Sequence, residues 1–246
     1  MRSAVLAFAF CALAPLAAAA EVDHVTRTVA LAPGGTLRVN NFSGRVTITG
    51  TDRKDATVDA VRRGSRDKLN RISLDIHTEG STLVINANRR DRSWWSRHNG
   101  VVDTDLDIKV PRNTNLDVDV FSAAVTVDGV EGRHKLHGFS SRVRLNDVTG
   151  PIRVHTFSGS VDVGAKEWVA DQVIDVDTFS GNVALRLPET ARGTVNFNSF
   201  SGRLNSDIPL TLRSTQRRSV RAELGGSPSG GTLRLKTFSG SVKIAR

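Results

Sequence analysis

A triplet of phenylalanine, serine and a small residue recurs along this chain and limits what it can fold into. It begins at Phe42, Phe121, Phe139, Phe157, Phe179, Phe200 and Phe238, and its third residue is Gly44, Ala123, Ser141, Gly159, Gly181, Gly202 or Gly240. From Phe121 onward the steps are 18, 18, 22, 21 and 38 residues, the last close to two periods. A fixed period of this size is the mark of stacked supersecondary units, each unable to bury its apolar face alone.

Alignment on the phenylalanine shows what each unit contains. Three residues earlier stand Val39, Val118, Leu136, Val154, Val176, Phe197 and Leu235. Four residues later stand Val46, Val125, Val143, Val161, Val183, Leu204 and Val242. The positions five before and six after are apolar in nearly every copy, with His134 and Ser206 as the exceptions, and the residues between are mostly polar. Alternation of this kind makes each unit two short strands with one face buried. The two sets have opposite parity, so the chain must bend at the triplet. Counting the phenylalanine with the downstream set places its ring in an interior corner, the serine outside and the small residue in the turn. A ring so buried would cost about 3–5 kcal/mol on truncation to alanine.

These features predict an all-β chain, a single-stranded β-helix-like β-solenoid of 18–22 residues per turn. Successive rungs would pair at about 4.8 Å. A β-sandwich is the alternative, because it too has many short strands and regular turns. Residues 1–20 read as a signal peptide, with Arg2, an apolar stretch and an alanine-rich end before Glu21. Its removal takes away Cys11, the sole cysteine, so no disulfide is expected despite an oxidising destination. Residues 21–246 form one repeat domain: a first rung over 37–49, degenerate rungs or a meander over 52–110, regular rungs over 116–206, an insertion over 207–231 and a last rung over 232–246. That last rung would leave an open edge unless the insertion covers it.

The stretches VPRNTNLDVDVFSAAVTVDGVEG, KLHGFSSRVRLNDVTGPIRVHTFSGSVDV and GGTLRLKTFSG resemble the bacterial putative-adhesin family with β-strand repeats, over residues 37–246. That family is catalogued as a domain of unknown function and is similar to the head domains of auto-transporter adhesins. The resemblance implies a β-helical fold and an envelope or surface location. It carries no catalytic residues to transfer.

The net charge of +9 favours anionic partners such as envelope glycans or lipids, and export makes nucleic acid an unexpected one. Candidate binding residues are Arg89, Arg90, Arg92, Trp94, Trp95 and Arg97 in the segment RRDRSWWSRHNG, read as an exposed loop over 89–100, together with Arg142 and Arg144. Two residues before the phenylalanine the column runs Asp119, His137, His155, Asp177. Imidazole and carboxylate suit zinc or copper, but the neighbouring column of Asp117, Lys135, Arg153 and Asp175 points to a charge ladder instead. No cofactor or metal is therefore expected.

Aspartates 103, 105, 107, 117 and 119 raise a carbohydrate-active enzyme as an alternative, since glycosidases need two facing carboxylates. No nucleophile elbow, zinc-protease helix or phosphate loop accompanies them. The expectation is a non-enzymatic, exported, adhesin-like binding or structural module in the periplasm or on the cell surface. The alternatives are a β-helix enzyme and a metal-binding envelope sensor.

Overall fold

The computed structural model describes residues 21–90 and 101–246. Residues 1–20, and with them the signal-peptide reading, lie outside the described residues, as do Arg92, Trp94, Trp95 and Arg97. The chain opens with β1 (Glu21–Ala30), β2 (Thr36–Thr51), β3 (Asp55–Gly64), the short helix α1 (Arg66–Arg71), β4 (Ile72–Glu79), β5 (Thr82–Arg90), β6 (Asp103–Pro111) and β7 (Asn115–Asp128). Three rungs follow as strand pairs: β8 (His134–Ser140) with β9 (Val143–Val148), β10 (Ile152–Ser158) with β11 (Val161–Ala165), and β12 (Val173–Ser180) with β13 (Val183–Arg186). The chain ends with β14 (Gly193–Ser199), β15 (Arg203–Ser206), the hairpin β16 (Leu210–Gln216) and β17 (Ser219–Leu224), and the pair β18 (Gly231–Ser239) and β19 (Ser241–Ala245).

The fold is all-β and solenoid-like. Equivalent residues stack in register from rung to rung. Leu37, Leu116, His134, Ile152, Ile174, Leu233 and Val195 form one inward column. Val46, Val125, Val143, Val161, Val183 and Val242 form another on the second strand of each rung. Every member of both is buried. At every site but His134 the side chain is β-branched or leucine, which fits a 4.8 Å repeat because similar shapes nest on one another.

The rungs are not stacked in chain order. β18 pairs in parallel with β12 on one side and β14 on the other, and β19 lies likewise between β13 and β15. The C-terminal rung is therefore internal, not the exposed last rung that the sequence suggests. The edge left by β14 is covered by β17, antiparallel to it, with β16 beyond. The opposite end has the same design. β2 lies between β7 and a rung made of β5 and β6, whose outer edges take antiparallel β4 and β3, and β1 pairs with β3. Antiparallel strands thus cover both strands of the β5–β6 rung at one end and β14 at the other, which protects edges that would otherwise pair with other chains.

His134 is the one titratable group in an inward column. It is fully buried, its Nε2–H donates to the Thr149 carbonyl at 3.1 Å, and Nδ1 has no hydrogen-bond partner. Burial pushes its pKa down to about 4, with the Thr149 carbonyl opposing the shift. The unfolded chain takes up this proton near the ordinary histidine value of about 6.5. Stability present above that pH is thus lost as pH falls from about 6.5 to 4, by roughly 3 kcal/mol in all. Replacement of His134 by leucine should flatten this part of the pH dependence. Urea midpoints at neutral pH and near pH 5 test it, and identical pH dependence in both proteins would reject the role.

Candidate functional site

The strand before each corner fixes what faces outward. In β12, Ile174, Val176 and Thr178 point in, while Asp175, Asp177 and Phe179 alternate with them. The alternation runs unbroken through the phenylalanine. This corrects the sequence expectation of interior rings: Phe121, Phe139, Phe157, Phe179, Phe200 and Phe238 are 44–52% exposed, and Phe42 is half-buried. The interior corner is filled instead by the preceding residue, such as Val120, Thr156 or Thr178, and Thr156 Oγ1 meets Thr178 Oγ1 at 3.0 Å. The truncation cost reckoned for buried rings does not apply. Among the described residues, Phe197, outside the triplet, is the phenylalanine that is buried.

Parity changes after the serine. At Gly159 φ is 129°, and a Cβ there would lie 1.9 Å from the Ser141 carbonyl oxygen of the neighbouring rung. The small residue is required by this close approach between backbones. Where the third residue is Ser141, the interior is relieved one position before the phenylalanine, at Gly138: a Cβ on Gly138 would meet the Ser141 Cβ at 2.8 Å.

The outward phenylalanines stack face to face in the order Phe42, Phe121, Phe139, Phe157, Phe179, Phe238, Phe200. Centroids are 4.6–5.0 Å apart and ring planes lie within 12° of parallel, so the ladder is roughly 29 Å long. The guanidinium of Arg218, from the turn between β16 and β17, covers the terminal Phe200 ring at 4.1 Å from its centroid. A cation over an aromatic face is attracted by the ring quadrupole.

A polar ladder runs beside the rings, two residues earlier on each strand. It reads Asn86, Asn40, Asp119, His137, His155, Asp177, Lys236, Asn198. Asn40 donates to Asn86 Oδ1 at 2.7 Å, and Lys236 pairs with Asp177 at 3.3 Å. The His137 and His155 rings stack with centroids 5.3 Å apart and planes 8° from parallel. Burial, then the charges of Lys135 and His155, lowers the His137 pKa, so its imidazole is neutral at neutral pH. The four metal candidates thus adjoin one another, but the two imidazoles lie face to face instead of converging on a point. Among the described residues no group of three or more His, Cys, Asp and Glu is arranged to hold a metal ion.

The other candidates lie apart from these ladders. Asp117 sits between Arg38 and Lys135, each at 3.5 Å, and Asp175 pairs with Arg153 at 3.7 Å. Asp105 accepts from Arg63 and from the Arg45 backbone, and Asp103 accepts from Ser43. Such partly exposed pairs each contribute about 0–1 kcal/mol. Arg144, in β9 beyond the corner, approaches Asp162 at 4.0 Å, while Arg142 is exposed at the corner itself. The backbones of Arg89 and Arg90 belong to β5 and pair with Ser73 and Ile72, so they close a strand instead of opening a loop.

Between the aromatic and polar ladders lies an open groove of about 890 Å³ with a predominantly apolar lining. Asp119, His137, His155, Asp177 and Lys236 form its polar side, the rings its apolar side, and Asn198, Arg218 and Ser219 its capped end. A hollow of about 440 Å³ adjoins that end, with Arg221, Arg234 and Lys236 beside Asp175 and Asp177. Sequence reasoning missed the groove because it turned the rings inward. The signal was present: the phenylalanine shares parity with the Asp119–Asp177 column it already placed outside.

A double-capped β-solenoid with an exterior aromatic ladder is therefore the class of protein at hand. Residues 114–245 match the family described as Toastrack DUF4097, and the chain belongs to that family. Among solved structures it is similar to a putative cell adhesion protein from Clostridium sporogenes, at 11% identity over 91% of this chain and 99% of that one, with a TM-score of 0.49. A putative adhesin from Bacteroides fragilis is also similar, at 11% identity over 90% and 97% of the two chains and a TM-score of 0.39. A third is a putative lipid binding protein from Parabacteroides distasonis, at 8% identity over 91% and 97% and a TM-score of 0.28. No curated protein matches the chain. Among the described residues no helix is long and apolar enough to cross a membrane.

Proposed function

We propose that the chain is a non-enzymatic, exported, adhesin-like binding module of the bacterial envelope, whose working surface is the groove between the two ladders. The carrying observation is the row of seven exposed or half-buried phenylalanines held in one register along the stack. The core is complete without them, since the inward columns are filled mainly by aliphatic side chains. Soluble proteins seldom leave so long an apolar strip uncovered unless it meets something. The cations near the capped end, Arg218, Arg221, Arg234 and Lys236, favour an anionic envelope component.

Sedimentation with envelope fractions tests this. The wild-type protein should co-sediment at low salt and progressively less as salt screens the cationic end. A variant carrying Phe139→Ser, Phe157→Ser and Phe179→Ser, with its fold checked by circular dichroism, should lose most of the association. Undiminished binding by that variant would remove the groove from the function.

A further inference from the structure

Resting on the groove as the binding surface, we infer that its ligand is a single alkyl chain bearing an anionic head, laid along the phenylalanine ladder with the head at Arg218. The stacking geometry carries this. Ring planes within 12° of parallel leave every π face between Phe42 and Phe200 covered by its neighbour, and Arg218 covers the outer face of Phe200. Between Phe121 and Phe200 the groove meets a continuous wall of ring edges, which has no hydrogen-bonding group and no free face on which a sugar could stack. A flexible hydrocarbon chain is the ligand that gains from such a wall.

Length and charge agree. Two opposed lipid tails fill a bilayer core of about 30 Å, so one tail spans about half of that. The ladder of roughly 29 Å is about twice that length, so one tail lies wholly upon it with its head at Arg218. The two ends of the groove differ in charge: Arg218 and Lys236 lie at the capped end, Asp119 towards the other. Among the described residues Arg218 forms no ion pair, whereas Lys236 is held by Asp177. An intact membrane face fits less well, because seating the ladder in a bilayer would also desolvate Asp119 and Asp177 in the parallel row.

Calorimetric titration of the exported chain with octanoate, decanoate, dodecanoate and tetradecanoate, each below its micelle concentration, reads the assignment. Affinity should rise about two- to fourfold per added methylene, the upper figure being full burial at about 0.8 kcal/mol each. Dodecyltrimethylammonium, with the same tail and a cationic head, should bind more weakly than dodecanoate. Arg218→Ser should weaken that head preference and keep the chain-length series. The triple serine variant should flatten the series, while Phe157→Leu, which keeps an apolar wall, should preserve it and shows that loss is not misfolding. No chain-length dependence in wild type, or an unchanged series in the serine variant, overturns the alkyl-chain assignment, and so does binding to anionic vesicles without binding to monomeric alkanoates. Envelope sedimentation that still depends on the phenylalanines would then leave the binding-module reading standing; its loss in wild type would end both.

Discussion

A chain ending at residue 230 should lose far more than the two strands it lacks. β18 is hydrogen-bonded on both sides, to β12 and to β14, and Leu233, Leu235, Val242 and Ile244 are buried within the stack. Loss of four such side chains, at about 2–5 kcal/mol each, amounts to on the order of 10 kcal/mol, comparable with the whole stability of a domain. The missing rung also separates Phe179 from Phe200 in the ladder and leaves β14 and β15, with the hairpin that β14 carries, without their parallel partners β18 and β19. Amide hydrogen exchange across residues 193–224 reads the outcome. Protection there should vanish in the truncated chain while β7 to β11 retain it, and the newly open edge of β12 should promote association between chains. Full protection of 193–224 would mean that the C-terminal rung is dispensable.

Replacement of Gly159 by alanine is expected to be among the most costly single changes at a corner. The added methyl would stand 1.9 Å from the Ser141 carbonyl oxygen and 2.7 Å from its carbon, both backbone atoms held in the next rung. The residue also has a φ of 129°, which alone costs a side chain about 1–3 kcal/mol. Clash and strain together should destabilise by about 3 kcal/mol or more and spread the rungs locally. Gly34→Ala supplies the comparison: φ is 84°, but nothing lies within 4 Å of the added methyl, so only the strain remains. Urea midpoints of the two variants separate the effects, and equal losses would show that close approach between rungs contributes nothing.

Much of the rung was legible from residues. Alternation at Leu116, Val118, Val125 and Val127 specifies two half-buried strands, because successive side chains point to opposite faces. The placement of His137 beside His155, and of Asp117 beside Lys135, followed from aligning the triplets. The direction of the phenylalanine did not, because the parity change could fall on either side of it. A large apolar ring suggested the interior, yet the space there is taken by Val120, Thr156 and Thr178, and seven identical rings at rung spacing gain more by stacking on one another outside. Arg218 was visible only as one charge in an insertion; its place over Phe200 depends on where the hairpin docks.

By itself the sequence determined the period, the inward columns and the tight corner, since these depend on neighbours a few residues apart along the chain. Only the tertiary structure decided which rung lies beside which. Every rung offers the same edge and the same nesting side chains to every other, so local preference does not distinguish β14 from β18 as the partner of β12. That choice is made by the antiparallel cap that β17 forms on β14, which leaves β18 to enter between β12 and β14. The same insertion completes the unbroken row of rings from Phe42 to Phe200, and with it the groove.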